Sequence, residues 1–246
     1  MGETERLLED IISFIRGTVE EAGSKGAIVG LSGGIDSALV AALLISALGR
    51  DKVHGLILPC ESNKEDVQDA VSLSEALGLS YEIIDLTGTY EAFLKDNGMK
   101  ASVNLHFANI KPRLRMTTLY FHGGLRGYLV AGTANRSEMV TGYFTKYGDG
   151  GVDFEPIADL LKDEVYEMAR LFPIPQAILD KEPSAGLIQG QTDEQELGFT
   201  YRQLDAFIRT GEGDGPLRER ILNLYRNSRH KTRPPRIPDL KRDFYI

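Results

Sequence analysis

The sequence predicts an α/β fold in which helices cover both faces of a parallel β-sheet. Short, almost continuously apolar segments with the length of buried strands alternate with segments whose apolar residues have helical spacing. Strands that alternate with helices favour parallel pairing through right-handed crossovers, and near-continuous apolar strands are typical of a sheet covered on both faces. A turn rich in glycine and serine follows the first predicted strand. Ligands of such sheets bind at the carboxyl ends of the strands, so we expect the functional site there.

The individual elements follow from the apolar spacing and from the residues that start and stop helices. The predicted strands are 27–31, 53–59, 81–86 and 127–131. The predicted helices are 3–22, 37–48, 64–77, 89–95, 105–123, 200–209 and 215–227. Segment 232–238 is rich in proline and is expected to be extended, because proline disfavours helix. We find no repeat or interdomain linker, and we expect a single domain over 1–246 with a basic, proline-rich tail at 229–246.

Composition narrows the class of protein. Of the 246 residues, 42% are hydrophobic and 26% are charged, which is ordinary for a soluble globular domain. The apolar run 38–48 is too short to span a bilayer, and the acidic segment 1–5 is unlike the start of a signal peptide. Cys60 is the only cysteine, which excludes an internal disulfide and fits a reducing compartment. We therefore expect a cytoplasmic protein with no membrane partner.

The charge is unevenly distributed. A formal net charge of −8 argues against general nucleic-acid binding, yet basic residues crowd the segment 226–242. Such a tail suggests a local phosphate-bearing partner. Charge alone is equally consistent with a solvated tail that offsets an acidic body.

The segment Gly30–Ser37 carries the strongest functional signal, with the sequence Gly-Leu-Ser-Gly-Gly-Ile-Asp-Ser between a predicted strand and a predicted helix. Backbone N–H groups and the helix dipole converge at such a turn and form a phosphate cradle, to which Ser32 and Ser37 add hydroxyls. The absence of a Lys after Gly34 excludes the P-loop, and the spacing of the glycines excludes the dinucleotide fingerprint. Asp36 would repel phosphates unless a cation such as Mg²⁺ lies between them. The alternative is a glycine turn that only closes a tight connection.

A second loop with functional residues follows the strand that ends at residue 131. The segment 132–138 is small and polar and contains Glu138, which could be a second metal ligand opposite Asp36. Alternatively, Glu138 only occupies the first turn of a helix, where an acid is favourable. The segment 141–153, dense in aromatic residues, Lys, Gly and Asp, suits a flat charged ligand.

These segments together resemble a known family. The loop Gly30–Ser37 resembles the pyrophosphatase loop of the ATP-pyrophosphatase superfamily. Segments 132–138 and 142–150, followed by Pro156 and Lys162, resemble the NAD⁺ synthetases of that superfamily. Segments 181–187 and 191–198 and the pair at 230–231 are similar to the same family, so the resemblance covers most of residues 26 to 235 in family order. It implies a Rossmann-like sheet of the adenine nucleotide alpha hydrolase-like type.

The resemblance also implies a reaction. A ligase of this family amidates deamido-NAD⁺ (nicotinic acid adenine dinucleotide) to NAD⁺ with ATP and ammonia, through an adenylate, and releases AMP and pyrophosphate. A carboxylate is a poor electrophile, so adenylation supplies a leaving group, and the protein contributes mainly positioning and electrostatics. Mg²⁺ is the implied metal. Free ammonia is the expected nitrogen donor, since 246 residues leave no room for a glutaminase domain; a separate glutaminase subunit is possible but not implied.

The resemblance assigns residues to the nucleotide site. The implied catalytic residues are Asp36, Lys162 and Ser32, and the implied Mg²⁺ ligands are Asp36 and Glu138. The implied ATP-binding residues are Gly30, Leu31, Ser32, Gly33, Gly34, Ile35, Asp36, Ser37, Thr133, Lys162 and Ser184. Lys162 would offset negative charge on the leaving pyrophosphate, although an isolated lysine in a first helical turn is more often solvated.

A second set of residues is implied for deamido-NAD⁺. It contains Arg113, Lys146, Asp153, His230 and Lys231. Arg115 is the alternative to Arg113, with the other arginine left to a structural pair. A homodimer is implied, with 105–125 as a candidate interface helix, and 186–198 matches the family's loop over bound ligand.

Two other functions share part of this pattern. Another ATP pyrophosphatase, such as a guanylate synthetase subunit or a tRNA-modifying enzyme, would share the loop but not segment 142–150. A nucleotide-binding protein without turnover would have no need of two metal carboxylates, Lys162 and a second ligand pocket together. Release of pyrophosphate separates the enzymes from a nucleotide-binding protein without turnover.

Overall fold

The four predicted strands are present and form one parallel sheet. The computed structural model describes residues 2–100, 102, 104–183 and 193–238. The strands are β1 (Gly26–Gly30), β2 (Val53–Ile57), β3 (Ser80–Ile83) and β4 (Tyr128–Ala131), in the spatial order β3-β2-β1-β4. Ile28 at the centre of β1 is in register with His54 on one side and Val130 on the other. The predicted parallel sheet is confirmed; β1, β2 and β3 end earlier than expected, and β4 ends at Ala131 as predicted.

The helices alternate with these strands and then continue alone. In the described part of the chain they are α1 (Glu3–Glu21), α2 (Ile35–Leu48), α3 (Lys64–Leu77), α4 (Thr87–Asp96), α5 (Leu105–Ala108), α6 (Ile110–Arg126), α7 (Arg136–Thr141), α8 (Lys162–Ala169), α9 (Gln176–Leu179), α10 (Asp193–Leu197), α11 (Tyr201–Thr210) and α12 (Gly215–Ser228), with a 3₁₀ turn at Arg50–Lys52. None of the helices in the described ranges is long and apolar enough to cross a membrane.

Both faces of the sheet are covered, as the sequence predicts. Successive residues of a strand point to opposite faces, and Val29 and Ile28 accordingly enter different apolar cores. Val29 packs in the larger core with the side chains of α1, α2, α3 and α8. Ile28 packs with Tyr90 of α4 and Leu119 of α6. Helix α2 lies within the larger core and most of its residues are buried, which explains why it is apolar all round.

The predicted helix 105–123 is interrupted. Helix α5 ends at Ala108, and α6 begins at Ile110. Pro112 has no N–H to donate to the carbonyl of Ala108, so the hydrogen-bond ladder of one continuous helix cannot form there. Asn109 lies at the break, where its side chain accepts a hydrogen bond of 2.8 Å from the Thr145 hydroxyl. The break therefore ties α6 to the loop after α7.

A third apolar core lies among the C-terminal helices. It contains the buried residues Leu197, Phe199, Leu204 and Ile221. Helices α11 and α12 contact α7, and α11 also contacts α8. Because α7 and α8 begin near the carboxyl edge of the sheet, this core positions the first turns of both helices beside the loop Gly30–Ser37.

Candidate active site

A cavity of about 870 Å³ opens at the carboxyl edge of the sheet. It is lined by the ends of β1, β2 and β4, by the loop Gly30–Ser37 except Gly33, and by the first turns of α7 and α8. The cavity therefore lies where a parallel sheet binds its ligand, and the loop with the strongest sequence signal forms its floor.

The loop after β1 is held in shape by its own residues. Gly33 has φ +79°, and a Cβ at that position would overlap the carbonyl oxygen of Asp66 at the start of α3. Ser37 donates its hydroxyl to the carbonyl of Gly34 at 2.9 Å, and Gly34 N–H donates to Ser32 Oγ at 3.2 Å. Glycine is therefore required at position 33 by both conformation and packing.

Asp36, Lys162 and Glu138 meet at the edge of this loop. Lys162 Nζ lies 2.6 Å from Asp36 Oδ2 and 3.6 Å from Glu138 Oε1, and the lysine is only 3% exposed. Asn135 caps α7 by accepting from the Glu138 N–H at 3.0 Å, and its side-chain amide donates to Asp36 Oδ1 at 2.9 Å. The first turns of α2, α7 and α8 thus bring together three residues that are more than 120 positions apart at the extremes. The alternative of a solvated Lys162 is wrong for this structure.

The combined effect of burial and neighbouring charges raises the pKa values of both Glu138 and Lys162. Burial and the nearby Asp36 carboxylate raise the pKa of Glu138, against the opposing effect of Lys162. Burial would lower the pKa of Lys162, but the two carboxylates outweigh it, and that pKa is raised. Lys162 therefore stays a cation at neutral pH, next to one acid whose proton is held more tightly than usual.

Asp36 and Glu138 offer the donor chemistry that Mg²⁺ requires. Both are carboxylates that line the cavity and face the same ammonium group. In the ranges that the structure describes, no cluster of three or more His, Cys, Asp or Glu side chains is arranged to hold a metal by protein ligands alone. Mg²⁺ is usually held by one or two carboxylates together with substrate phosphates, and this pair fits that mode.

The other residues predicted for ATP have separate outcomes. Thr133 lines the cavity, directly after Gly132, where a Cβ would overlap the carboxylate of Glu155. Ser184 lies outside the described residues, as does the part 186–192 of the predicted loop. The last part of the predicted loop 186–198 forms the short helix α10. This helix begins with Asp193, which is buried and lines the cavity.

Four of the residues predicted for the second substrate form one group outside the cavity lining. Lys146 Nζ donates to the carbonyl of His230 at 2.6 Å, and Arg113 donates to the carbonyl of Lys146 at 3.2 Å. Lys231 Nζ donates to the carbonyls of Gly142 and Phe144 at 2.7 and 2.8 Å. The start of the basic tail is therefore attached to the loop after α7. These contacts bring the residues together without assigning them a ligand.

The fifth, Asp153, lies apart from this group and from the cavity lining. It accepts hydrogen bonds from the Tyr120 hydroxyl at 3.0 Å and from the Val130 N–H at 2.7 Å. It therefore joins β4 to α6 on the face of the sheet that α6 covers.

Arg115 reaches the cavity, whereas Arg113 does not. Arg115 donates to the Leu58 carbonyl at 2.9 Å and to Ser62 Oγ at 3.2 Å, and it lines the cavity. Residues two positions apart on a helix point in directions that differ by about 200°, so Arg113 and Arg115 face different surroundings. Burial lowers the pKa of Arg115 from its usual high value, although nearby acids oppose the shift.

Tyr201 is a site residue that the sequence analysis missed. Its ring lies under the ammonium of Lys162, at 5.0 Å from Nζ to the ring centroid, and its hydroxyl donates to Asp193 Oδ2 at 3.1 Å. It is 39 positions from Lys162 and begins a helix with ordinary amphipathic spacing, so no sequence signal marks it.

Comparison with known proteins agrees with this geometry. The sequence model of a family described as NAD synthase matches residues 7–235. The NH(3)-dependent NAD(+) synthetase of Carboxydothermus hydrogenoformans is 47% identical over 239 residues, which cover 96% of this chain and 98% of the relative. Among solved structures, the NMN synthetase from Francisella tularensis has a TM-score of 0.91 at 35% identity, covering 98% of this chain and 100% of that one. The NH3-dependent NAD synthetase from Campylobacter jejuni has a TM-score of 0.80 at 32% identity, covering 97% and 100%.

Proposed function

Because this chain belongs to the NAD synthase family, we propose that it amidates deamido-NAD⁺ with ammonia at the expense of ATP, giving NAD⁺, AMP and pyrophosphate. The observation that carries the proposal is the meeting of Asp36, Lys162 and Glu138 beside the loop Gly30–Ser37. One buried cation and two carboxylates beside this loop are suited to cleaving a nucleoside triphosphate.

The reaction has two steps that this arrangement can serve. In the first, a nicotinate carboxylate oxygen attacks the α-phosphorus, the bond to the β,γ-phosphates breaks, and pyrophosphate leaves with the electron pair. In the second, ammonia attacks the acyl carbon, a proton is lost from nitrogen, and AMP leaves. We propose that Ser32, the loop N–H groups and Thr133 hold the phosphates, with Ser184 as a further contact. Lys162 would neutralise charge that develops on the pyrophosphate.

We further propose that Asp36 and Glu138 hold Mg²⁺ against the ATP phosphates. The metal would supply charge neutralisation of the triphosphate, which the protein carboxylates alone cannot. Each carboxylate now contacts Lys162, so both already lie at one spot that a bound triphosphate could share.

For the second substrate we propose Arg113, Lys146, Asp153, His230 and Lys231, as the family resemblance implies. What supports the proposal is that Arg113, Lys146 and the tail from His230 are joined by hydrogen bonds. Arg115 is engaged with Leu58 and Ser62 in the cavity, which leaves Arg113 as the freer guanidinium for a dinucleotide.

A homodimer is proposed through α6. Phe121 and Leu125 are one helical turn apart and are 63% and 69% exposed. Large apolar side chains that share an exposed helix face are typical of protein contacts. A second copy of the chain is the expected partner. A single domain, a cytoplasmic location and the absence of nucleic-acid partners stay predictions from the sequence, as does the use of free ammonia without a glutaminase.

A second candidate substrate is the mononucleotide, nicotinic acid mononucleotide. The observation that favours it is the TM-score of 0.91 to a structure described as NMN synthetase, against 0.80 for an NAD synthetase. Both acceptors present the same nicotinate carboxylate, so the cavity chemistry is identical. They differ in the adenylate half, which the group around Lys146 would bind.

One experiment tests the proposal and separates the two acceptors. The purified protein is mixed with ATP, Mg²⁺ and ammonium together with either acceptor, and AMP, pyrophosphate and the amidated nucleotide are measured. We expect equimolar formation of all three, with a higher kcat/KM for the dinucleotide. A higher kcat/KM for the mononucleotide would support the second candidate. Absence of pyrophosphate with both acceptors, in protein shown to be folded, would contradict both.

A further inference from the structure

Helix α11 lies against the first turn of α8. Lys162 is the first residue of α8, and its long side chain must hold one direction to act on a phosphate. A lysine has four rotatable side-chain bonds and loses up to about 2 kcal/mol of rotamer entropy when fixed. Something other than its two carboxylates has to limit where the ammonium can go.

The main chain of Lys162 is held by α11 through a polar relay. Its N–H donates to Ser137 Oγ at 3.2 Å, and that hydroxyl donates to Asp205 Oδ1 at 2.5 Å. Asp205 Oδ2 also accepts from the N–H of Asp163 at 3.2 Å. Ser137 and Asp205 are both buried, so the start of α8 is fixed by interactions shielded from water.

The side chain of Lys162 is held by the same helix through Tyr201. The Tyr201 ring is 5% exposed and lies 5.0 Å from Nζ, a distance at which the negative face of an aromatic ring attracts an ammonium group. Asp36 lies 2.6 Å from the same nitrogen. The ammonium is therefore held between a ring on α11 and a carboxylate on α2.

Hydrogen bonds hold both the hydroxyl and the backbone of Tyr201. Its hydroxyl donates to the buried Asp193, and its backbone N–H donates to Glu194 Oε1 at 2.8 Å. The ring also packs with Leu197 and Leu204 in the C-terminal core. A ring held in this way is a rigid surface for Lys162.

We infer that Tyr201 is a positioning residue for the pyrophosphate-forming step, because its ring directs the Lys162 ammonium toward the phosphate loop. The inference rests on the proposed function for its effect on rate and on geometry alone for the contact. The ring is the operative part. The hydroxyl anchors the ring through Asp193 and is secondary.

The test compares three variants on the two half-reactions. Tyr201→Leu removes the ring, Tyr201→Phe keeps it, and Leu204→Ala damages the same core and helix but leaves the Tyr201 ring in place. Pyrophosphate release is followed in a rapid burst with ATP, Mg²⁺ and deamido-NAD⁺, and NAD⁺ formation is followed after ammonium is added. We expect Tyr201→Leu to slow the burst about tenfold or more while the KM for ammonium stays within about twofold.

The controls separate positioning from stability. Tyr201→Phe should restore the burst to within about threefold of wild type, and Leu204→Ala should lower the melting temperature yet keep the burst within the same range. Equal slowing of the burst in Tyr201→Leu and Leu204→Ala would overturn the inference. So would equal slowing of both half-reactions in Tyr201→Leu.

A second measurement does not depend on turnover. The side-chain signals of Lys162, assigned by their loss in Lys162→Met, should show a ring-current shift in NMR spectra of the wild type and of Tyr201→Phe. The shift should vanish in Tyr201→Leu. Identical Lys162 signals in wild type and Tyr201→Leu would overturn the inference. Absence of a pyrophosphate burst in the wild type would instead count against the proposed function and leave this contact standing.

Discussion

Lys162 acquires its role at the scale of single residues, through burial and charge. A lysine in the first turn of a helix is usually solvated, but here two carboxylates and an aromatic ring surround the ammonium. Burying a charge is costly unless it is paired, so a buried lysine with two acids points to a functional site. The two arginines differ in the same way: Arg115 lines the cavity and is partly buried, whereas Arg113 is exposed.

Lys162→Met should lower the rate of pyrophosphate release by roughly 10²–10³-fold, because a positioned charge at the leaving group is lost. The matched control is Lys181→Met. That lysine also lines the cavity, but it pairs with Asp66 and Asp69 at 2.7 and 2.6 Å. We expect a loss of less than about tenfold for the control, since partly exposed ion pairs contribute little. Comparable losses in the two variants, measured as kcat at saturating ATP, would contradict the role of Lys162.

Glu155 predicts a dependence of stability on pH. Burial raises its pKa from 4.5 to about 8, although the Ala134 N–H favours the charged form. The folded state therefore binds the proton more tightly than the unfolded chain. The contribution to stability is fully present below pH 4.5 and is lost as the pH rises through about 8. The unfolding free energy of wild type minus that of Glu155→Gln should fall over this range, by at most about 1.4 kcal/mol per pH unit.

Glu82 provides the opposite sign as a control. Burial would raise its pKa, but the charges of Arg126 and His54 outweigh that effect and lower it. Its contribution to stability is therefore present above pH 4.5 and is lost as the pH falls through the lowered value. In urea unfolding extended to below pH 4, the difference for Glu82→Gln should rise with pH up to about 4.5, and the difference for Glu155→Gln should fall between pH 4.5 and about 8. A flat difference curve for Glu155→Gln would contradict its raised pKa.

At the scale of elements, the parts that follow from local pattern were predictable and the parts set by distant contacts were not. β1, β2 and β4 are short, mainly apolar runs, whereas β3 alternates polar and apolar residues, and all four strands were predicted in the right places. Helix 105–123 was placed but not its break, because the pattern is helical on both sides of Asn109 and only Pro112 interrupts the ladder. Helix α8 was missed, since eight residues carry little periodicity of their own.

The candidate site divides along the same line. The loop Gly30–Ser37 could be proposed as a site because its glycines, serines and Asp36 are adjacent in the sequence. Its residues line the cavity except Gly33, which lies against Asp66 of α3. The sequence left the role of Glu138 open between a metal ligand and an acid in the first turn of a helix. In the structure its N–H donates to the capping side chain of Asn135, and the residue also lines the cavity. Tyr201 could not be predicted, because its meaning depends on where α11 packs.

Gly142→Ala should be far more costly than Gly211→Ala. Both glycines end helices with positive φ, +66° at Gly142 and +70° at Gly211. A Cβ at Gly211 meets nothing, whereas one at Gly142 would overlap Ser228 of α12. We expect about 1 kcal/mol for Gly211→Ala from backbone strain alone, and roughly 2–4 kcal/mol for Gly142→Ala with overpacking added. Equal midpoints in urea for the two variants would show that α12 yields freely at this contact.

At the scale of the whole molecule, the cavity at the carboxyl edge of the sheet is separate from the exposed apolar side chains Phe121 and Leu125 of α6. The cavity joins three strand ends and the first turns of three helices, so it forms only when the sheet and the C-terminal core are both in place. The group around Lys146 and the exposed side of α6 lie outside it. A dinucleotide acceptor that reached from the cavity to that group would extend beyond the cavity. Because Arg113 of that group lies on α6, such an acceptor would lie next to this helix.

The proposed dimer makes the last prediction. Replacing both Phe121 and Leu125 with Glu should convert a dimer to a monomer in sedimentation velocity, because like charges brought into an apolar contact repel each other and have no partner. The matched control is Leu171→Glu, which places a charge on a leucine that is also exposed, at 53%, but lies just after α8. We expect the control to leave the mass unchanged. If the dinucleotide binds near this interface, the double variant should also raise the KM for deamido-NAD⁺ more than that for ATP. A dimer that persists in the double variant would place the contact on another face.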